Sequence, residues 1–176
     1  MGTRSRFEAL ALPHLSLIYR LARQMAGPDR AEDLAQDTYL KAWTHFGSFA
    51  PGTNCRAWLC RILHNTWISH WRKTRLELPV GDLDDMPAEP GYDWEAQRLG
   101  EVLSADVQAA LDQLPDAYRW AVLLADVEEL TYQEIAATME CPVGTVMSRI
   151  SRGRRMLGRL LHERRRPSLR VMARER

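Results

Sequence analysis

Two groups of side chains in this chain have the types and spacing to do noncovalent chemistry on a polyanion. The first is Thr145, Met147, Ser148, Arg149, Arg152, Arg154 and Arg155, in a stretch where Val143, Val146 and Ile150 recur at i, i+3 and i+7. With that apolar stripe turned inward, Ser148, Arg149, Arg152 and Arg155 are left to point away. An outward guanidinium can fork onto a base edge or pair with phosphate, and an apolar Met147 can touch a thymine methyl. The second group is Asn54, Arg56, Arg61, Asn65, Trp71 and Arg72, in a segment that also carries Trp58, Trp67, His64, His70 and Lys73. Aromatic faces that replace base stacking, amides that read base edges and guanidinium groups that follow phosphates are what an unpaired strand requires; each stacked base contributes roughly 1–3 kcal/mol. Core packing is the competing reading, because Trp58, Ile62 and Leu63 also lie at helical spacing; Trp71, between His70 and Arg72, fits that reading less well. Bond-making chemistry has no matching set. No His, Asp or Glu cluster has metal spacing and no glycine-rich phosphate loop occurs, so no enzyme activity, cofactor or metal is expected.

Both groups need helices to position them. Thr131 and Glu134 have the spacing of a capping box, which predicts a helix starting at Tyr132 with Ile135, Ala136 and Met139 as its stripe. Glu140 and Cys141 fall in a turn, and Pro142 suits the first position of the next helix. Small Ala136 and Gly144 sit near the expected crossing. A short helix crossing a longer basic one at a tight turn is a helix-turn-helix, whose second helix enters the major groove. Upstream, residues 7–26 show Leu10, Leu15, Ile18, Leu21, Ala22 and Met25 at helical spacing, stopped by Gly27-Pro28. Asp29 with Glu32 marks a second capping-box-like start, for a helix to about Phe46 with Ala35, Tyr39, Ala42, Trp43 and Phe46 buried. Pro51-Gly52 lies in a loop, and Asn54 is the N-cap of a third helix to about Arg75. Residues 77–100, rich in Pro, Gly and acid, lose all periodicity and read as a linker. Helical pattern returns at Val102–Leu114, is punctuated by Pro115-Asp116 and resumes through Ala121–Ala125. No strand pattern appears, so the expected fold is all-α: two small helical domains on a flexible acidic linker, the second carrying the helix-turn-helix. The expected boundaries are 1–76, 77–100 and 101–166, with 167–176 a disordered basic tail.

The 176 residues carry a net charge of +1, which hides a pattern. Counting Lys and Arg against Asp and Glu, residues 1–76 hold 11 and 5 (+6), residues 77–116 hold 1 and 11 (−10), and residues 117–176 hold 12 and 7 (+5). Two basic bodies flank an acidic connector, the asymmetry of a protein with polyanion partners. No apolar run has the length to span a bilayer and the N-terminus has no signal-peptide core, so a cytoplasmic location without membrane insertion is expected. Cys55, Cys60 and Cys141 form no Cys-x-x-Cys pair, and reduced, partly buried thiols are the expectation; a Cys55–Cys60 redox pair is possible and not favoured.

Three motifs in register resemble bacterial sigma-70 family factors of the extracytoplasmic function type: Ala31-Glu-Asp-Leu-Ala-Gln-Asp-Thr-Tyr-Leu-Lys-Ala-Trp43, Gly52-Thr-Asn-Cys-Arg-Ala-Trp-Leu-Cys-Arg-Ile-Leu-His-Asn-Thr66 and Cys141-Pro-Val-Gly-Thr-Val-Met-Ser-Arg-Ile150. The resemblance runs from about Phe7 to Leu161. The Pro51–Asn54 loop and the Thr145–Arg149 helix look closest to the actinobacterial subgroup that answers thiol-oxidative stress. The resemblance implies an initiation subunit that binds core RNA polymerase, recognises duplex −35 and single-stranded non-template −10 promoter DNA, and opens the duplex. It places Asp33, Gln36 and Asp37 on the polymerase clamp-helix coiled coil, where the residues alone would read as a solvated acidic face. It makes residues 50–56 the loop that captures a flipped −10 base, lines the same strand with Asn65 and the following exposed face, and brings Ser148, Arg149 and Arg152 to the −35 element. Met147 and Ser151 depart from related recognition helices, so the −35 sequence does not transfer from relatives. The acidic linker would thread the channel by which RNA leaves; a merely soluble spacer is the other reading. An anti-sigma partner, of a small zinc-binding redox-sensor kind, is implied as well, with its Cys–His motif outside this chain. The rival reading is a stand-alone helix-turn-helix regulator on palindromic DNA, against which stands the lack of an apolar dimerisation helix after the recognition helix. A sigma mimic that only sequesters an anti-sigma protein would not need the basic recognition face.

Overall fold

A computed structural model describes residues 2–72 and 105–165. Every regular element among them is helical. The linker and tail readings, and the helical pattern before Ala105, lie outside the described residues.

The first body is built from α1 (Thr3–Ala11), α2 (Leu15–Ala26), α3 (Pro28–His45) and α4 (Cys55–Arg72). The single helix expected over 7–26 is two, because Pro13 falls in a 3-10 turn, Leu12–His14, that re-aims the chain. The break changes the buried set: Leu10 and Leu15 are exposed, while Phe7 and Ala11 join Ile18, Leu21, Ala22 and Met25 in the core. Tyr39 donates from its hydroxyl to the Ala11 carbonyl at 2.9 Å, and Phe7 meets Tyr39, Trp43 and Phe46 edge-on, fixing α1 across α3. The expected capping box at Asp29 and Glu32 does not form. Gly27, with φ 81°, ends α2 and starts α3 directly, and Pro28 takes the first helical turn where its missing N–H costs nothing. Trp43 was expected inside and is 44% exposed.

The second body comprises α5 (Ala105–Leu111), α6 (Asp116–Val122), α7 (Tyr132–Met139) and α8 (Val143–Arg165). Pro115 punctuates as expected, its carbonyl accepting from the N–H groups of Tyr118 and Arg119. A π turn, Leu123–Val127, follows α6, with Glu128 N–H donating to Leu123 O at 3.0 Å. This turn puts Asp126 and Glu128 inside, at 5% and 2% exposure, each against an arginine. The capping box at Thr131 and Glu134 forms reciprocally, and α7 begins at Tyr132. Pro142 lies just before α8, its carbonyl accepting from Thr145 and Val146. Gly144 faces open space; the close approach is at Gly153, where α8 meets α6.

The bodies are packed together, which the tethered-domain reading did not anticipate. Trp120 of α6, 1% exposed, meets His64 and Trp67 of α4 edge-on at 5.1 and 5.8 Å between ring centroids. Arg119 donates to the Gln24 carbonyl at 3.3 Å, and Arg20 pairs with Glu128 at 2.9 Å.

Candidate nucleic-acid interface

On α4, Leu59, Cys60, Leu63, Thr66 and Trp67 are buried. Trp67 also donates its indole N–H to the Met25 carbonyl at 3.4 Å, and Trp58 packs on Phe46 and Phe49. These two tryptophans pack with the core, which decides for them between the two readings the spacing left open: the 3.6 periodicity serves packing. The side chains of Trp71 and Arg72 lie outside those described.

The polar residues of α4 gather on the opposite side. Asn54 caps the helix, its Oδ1 accepting from the N–H groups of Arg56 and Ala57 at 3.0 and 3.3 Å. Its amide donates to Glu134 at 2.6 Å. Two and three helical turns on, Arg61 and Asn65 both donate to Oε1 of Glu140, at 3.3 and 3.2 Å. Asn54, Arg61 and Asn65 thus form one edge along α4, and that edge faces α7. Burial alone would raise the Glu134 carboxyl, but bonds from Thr131 and Asn54 hold it below the usual carboxylate range. The Asn65 and Arg61 bonds do the same for Glu140. Arg56 is half-buried, with its charge felt at Glu134 and Glu128. His64, beneath this edge, is held below the ordinary histidine range by burial. Burial likewise pushes the Cys60 thiol up to about 12, and Cys55 in the same direction; neither forms a disulfide.

On α8, Val146 and Ile150 are buried, and Val143, expected to join them, is 36% exposed. Met147 and Arg152 are exposed; Thr145, Ser148, Arg149 and Arg155 are half-buried. Ser148 donates to the Thr145 carbonyl and Arg149 to Cys141 Sγ at 3.6 Å, so Arg149 lies against the turn. Arg154 is the correction here: its Nε donates to Asp126 at 3.1 Å and its Nη2 to the other carboxylate oxygen, which fastens α8 to the π turn.

Asp33 and Gln36 are exposed on α3, with Gln36 bonded to Glu32 at 3.2 Å. Asp37, on the same face, accepts from His70 of α4 at 3.0 Å. The residues that sequence reading missed are those joining the bodies: Arg20, Arg119, Trp120 and Glu128. Glu140 carried a usable signal, a non-glycine residue in a tight turn, and it sits in the left-handed region at φ 50°.

Residues 10–77 match the family profile "Sigma-70 region 2" and residues 104–157 match "Sigma-70, region 4". The chain is 40% identical over 158 residues to the ECF RNA polymerase sigma factor SigE of Mycolicibacterium smegmatis, covering 86% of this chain and 60% of that protein. It is 37% identical over 137 residues to the ECF RNA polymerase sigma factor EcfG of Rhodopseudomonas palustris, covering 76% and 72%. Among solved structures, the sigma factor RpoE in complex with the anti-sigma factor NepR from Bartonella quintana aligns with a TM-score of 0.72 at 33% identity, over 89% of this chain and 97% of that one.

Proposed function

The chain belongs to the sigma-70 family, among its ECF sigma factors, and from that premise we propose that it is an alternative initiation subunit working by a division of labour between its two bodies. Core RNA polymerase docks on Asp33, Gln36 and Asp37. The α8 helix enters the −35 major groove with Met147, Ser148, Arg149 and Arg152. The α4 edge, Asn54, Arg61 and Asn65 with Arg56, takes the non-template strand of the −10 element, amides to bases and guanidinium groups to phosphates. The protein performs no bond-making; sigma factors are DNA-binding regulators and the polymerase supplies the reaction. The observation that carries this reading is that two separate polar edges, one on a helix-turn-helix and one on a capped helix of the other body, lie on matching regions of one family.

The functional boundaries proposed are 1–76 for core and −10 binding and 101–166 for −35 binding. Residues 77–100, with their excess of acid, suit a basic channel until transcript displaces them. The RpoE relative was solved with an anti-sigma factor, which supports one for this chain as well. No helix among the described residues is long and apolar enough to cross a membrane, consistent with work in the cytoplasm. Run-off transcription with purified core polymerase over a genomic library tests the function. Transcripts that share spaced −35 and −10 elements are expected; DNA binding without polymerase-dependent transcripts would overturn it in favour of a stand-alone regulator.

A further inference from the structure

The α4 edge assigned to the −10 strand is already occupied. Asn54 bonds Glu134, and Arg61 and Asn65 bond Glu140, so two carboxylates stand where phosphate or base acceptors would have to sit. Glu140 is the more telling of the two. It ends α7 in the left-handed conformation at φ 50°, a position glycine fills without the Cβ clash that other residues suffer. From that position its side chain reaches across to Arg61 and Asn65. Behind this polar rim the Trp120 ring closes over His64 and Trp67, and Arg20–Glu128 and Arg119–Gln24 flank it.

We propose that Glu134 and Glu140 of α7 act as an intramolecular stand-in for the non-template strand, so that the free chain is closed with its −10 edge masked, and strand and α7 compete for Asn54, Arg61 and Asn65. The inference rests on the assignment of that edge to the strand. Its consequence is that apparent strand affinity falls by the fraction of molecules that are open. Duplex DNA without polymerase finds the melting surface covered, while separation of the bodies uncovers it.

The test uses the full-length chain, wild type and Glu140→Gly. Glycine relieves the left-handed strain, so the helix-turn-helix keeps its turn while the two bonds to α4 are lost. Two readouts are taken: carbethoxylation of His64, which is 5% exposed in the closed form, followed by mass spectrometry, and anisotropy of a labelled random-sequence single-stranded DNA 12-mer. Both should rise a few-fold and no more, because the bonds lost are solvent-exposed rim contacts while the buried Trp120 contacts remain. Glu140→Lys should behave likewise, and adding Arg61→Glu to it should restore slow His64 modification by re-forming the pair with charges exchanged. Unchanged His64 modification in both single variants overturns the lock. Faster modification with no gain in single-strand binding overturns the assignment of the α4 edge to DNA, and the masking falls with it.

Discussion

Gly153 lies buried in α8 where α6 crosses it, and a Cβ built there would stand 2.6 Å from Val122 Cγ2, 3.3 Å from the Tyr118 carbonyl oxygen and 3.4 Å from Tyr118 Cβ. The first distance is one that bonded neighbours alone tolerate, so Gly153→Ala must move something. Val122 is β-branched and helical, restricted to essentially one χ1 well, and cannot swing its methyl clear. The other two contacts are backbone and the root of a side chain, which yield only if α6 shifts bodily. Overpacking of this kind costs about 1–3 kcal/mol, and the absence of a flexible neighbour puts it in the upper half. Against this, alanine is better than glycine inside a helix by about 1 kcal/mol. The net expectation is a loss of about 1–2 kcal/mol. At roughly 2–4 °C per kcal/mol for a chain of this size, the melting temperature should fall by about 2–8 °C. A double-mutant cycle read by thermal melts isolates the cause, since Val122→Ala removes the clashing methyl. The pair Val122→Ala with Gly153→Ala should then be at least as stable as Val122→Ala alone, with a coupling of about 1 kcal/mol or more. If Gly153→Ala melts at or above wild type, the close approach is not a constraint on the helix-turn-helix and the reasoning fails.

Three further outcomes follow from the site. Asp33→Arg with Gln36→Ala should abolish co-purification with core polymerase and leave the circular-dichroism melt unchanged, because both residues are exposed; Asp37 is left intact since it also holds His70. Unchanged polymerase binding would remove this face from the assignment. In polymerase holoenzyme on a panel of −35 variants at two salt concentrations, Arg149→Ala should change the preferred base by about 1–3 kcal/mol. Arg152→Ala should weaken all sequences alike and lower the salt slope by about one unit; the opposite pattern reverses the roles. The buried, neutral His64 gives the pH dependence its sign: a histidine whose native value lies below its ordinary one binds its proton more readily when exposed, so stability falls as pH drops through about 6.5. Melting temperature should therefore decline between about pH 7.5 and 5.5, and the slope should shrink in His64→Phe, leaving the part due to His14, which burial lowers likewise. An unaltered slope in His64→Phe would sink the assignment.

What was legible in the sequence was what a few neighbouring residues decide. The capping box at Thr131 and Glu134 and the Asn54 cap are settled by backbone N–H groups two or three residues away, and both formed as expected. Periodicity was less informative where it has two explanations. Trp58 and Trp67 satisfy a helical core stripe as well as a stacking face, and only the packing of Phe46, Phe49 and Met25 against them decides between the two. Arg154 sits on the basic side of α8 by sequence, yet the buried Asp126 that holds it is 28 residues away on the π turn. The pairs that join the bodies are more distant still, 108 residues for Arg20–Glu128 and 75 for Asn65–Glu140, and nothing local announces them.

Glu134 belongs to both kinds at once, and this constrains how the closed chain can open. One of its oxygens, Oε2, accepts from the Thr131 N–H at 2.8 Å and from the Thr131 hydroxyl at 3.0 Å, while Oε1 accepts from Asn54. The capping bonds and the interdomain bond therefore use different atoms of one carboxylate. Losing Asn54 leaves the start of α7 satisfied. The Asn54 cap of α4 is divided in the same way, Oδ1 serving its own helix and Nδ2 reaching across. Neither helix needs the other to keep its first turn, so separation of the two bodies exchanges partners at their polar rim without unwinding either helix. The cost of opening then lies chiefly in uncovering Trp120, His64 and Trp67 and in parting Glu128 from Arg20, contacts which reside away from the edge that the DNA strand would take.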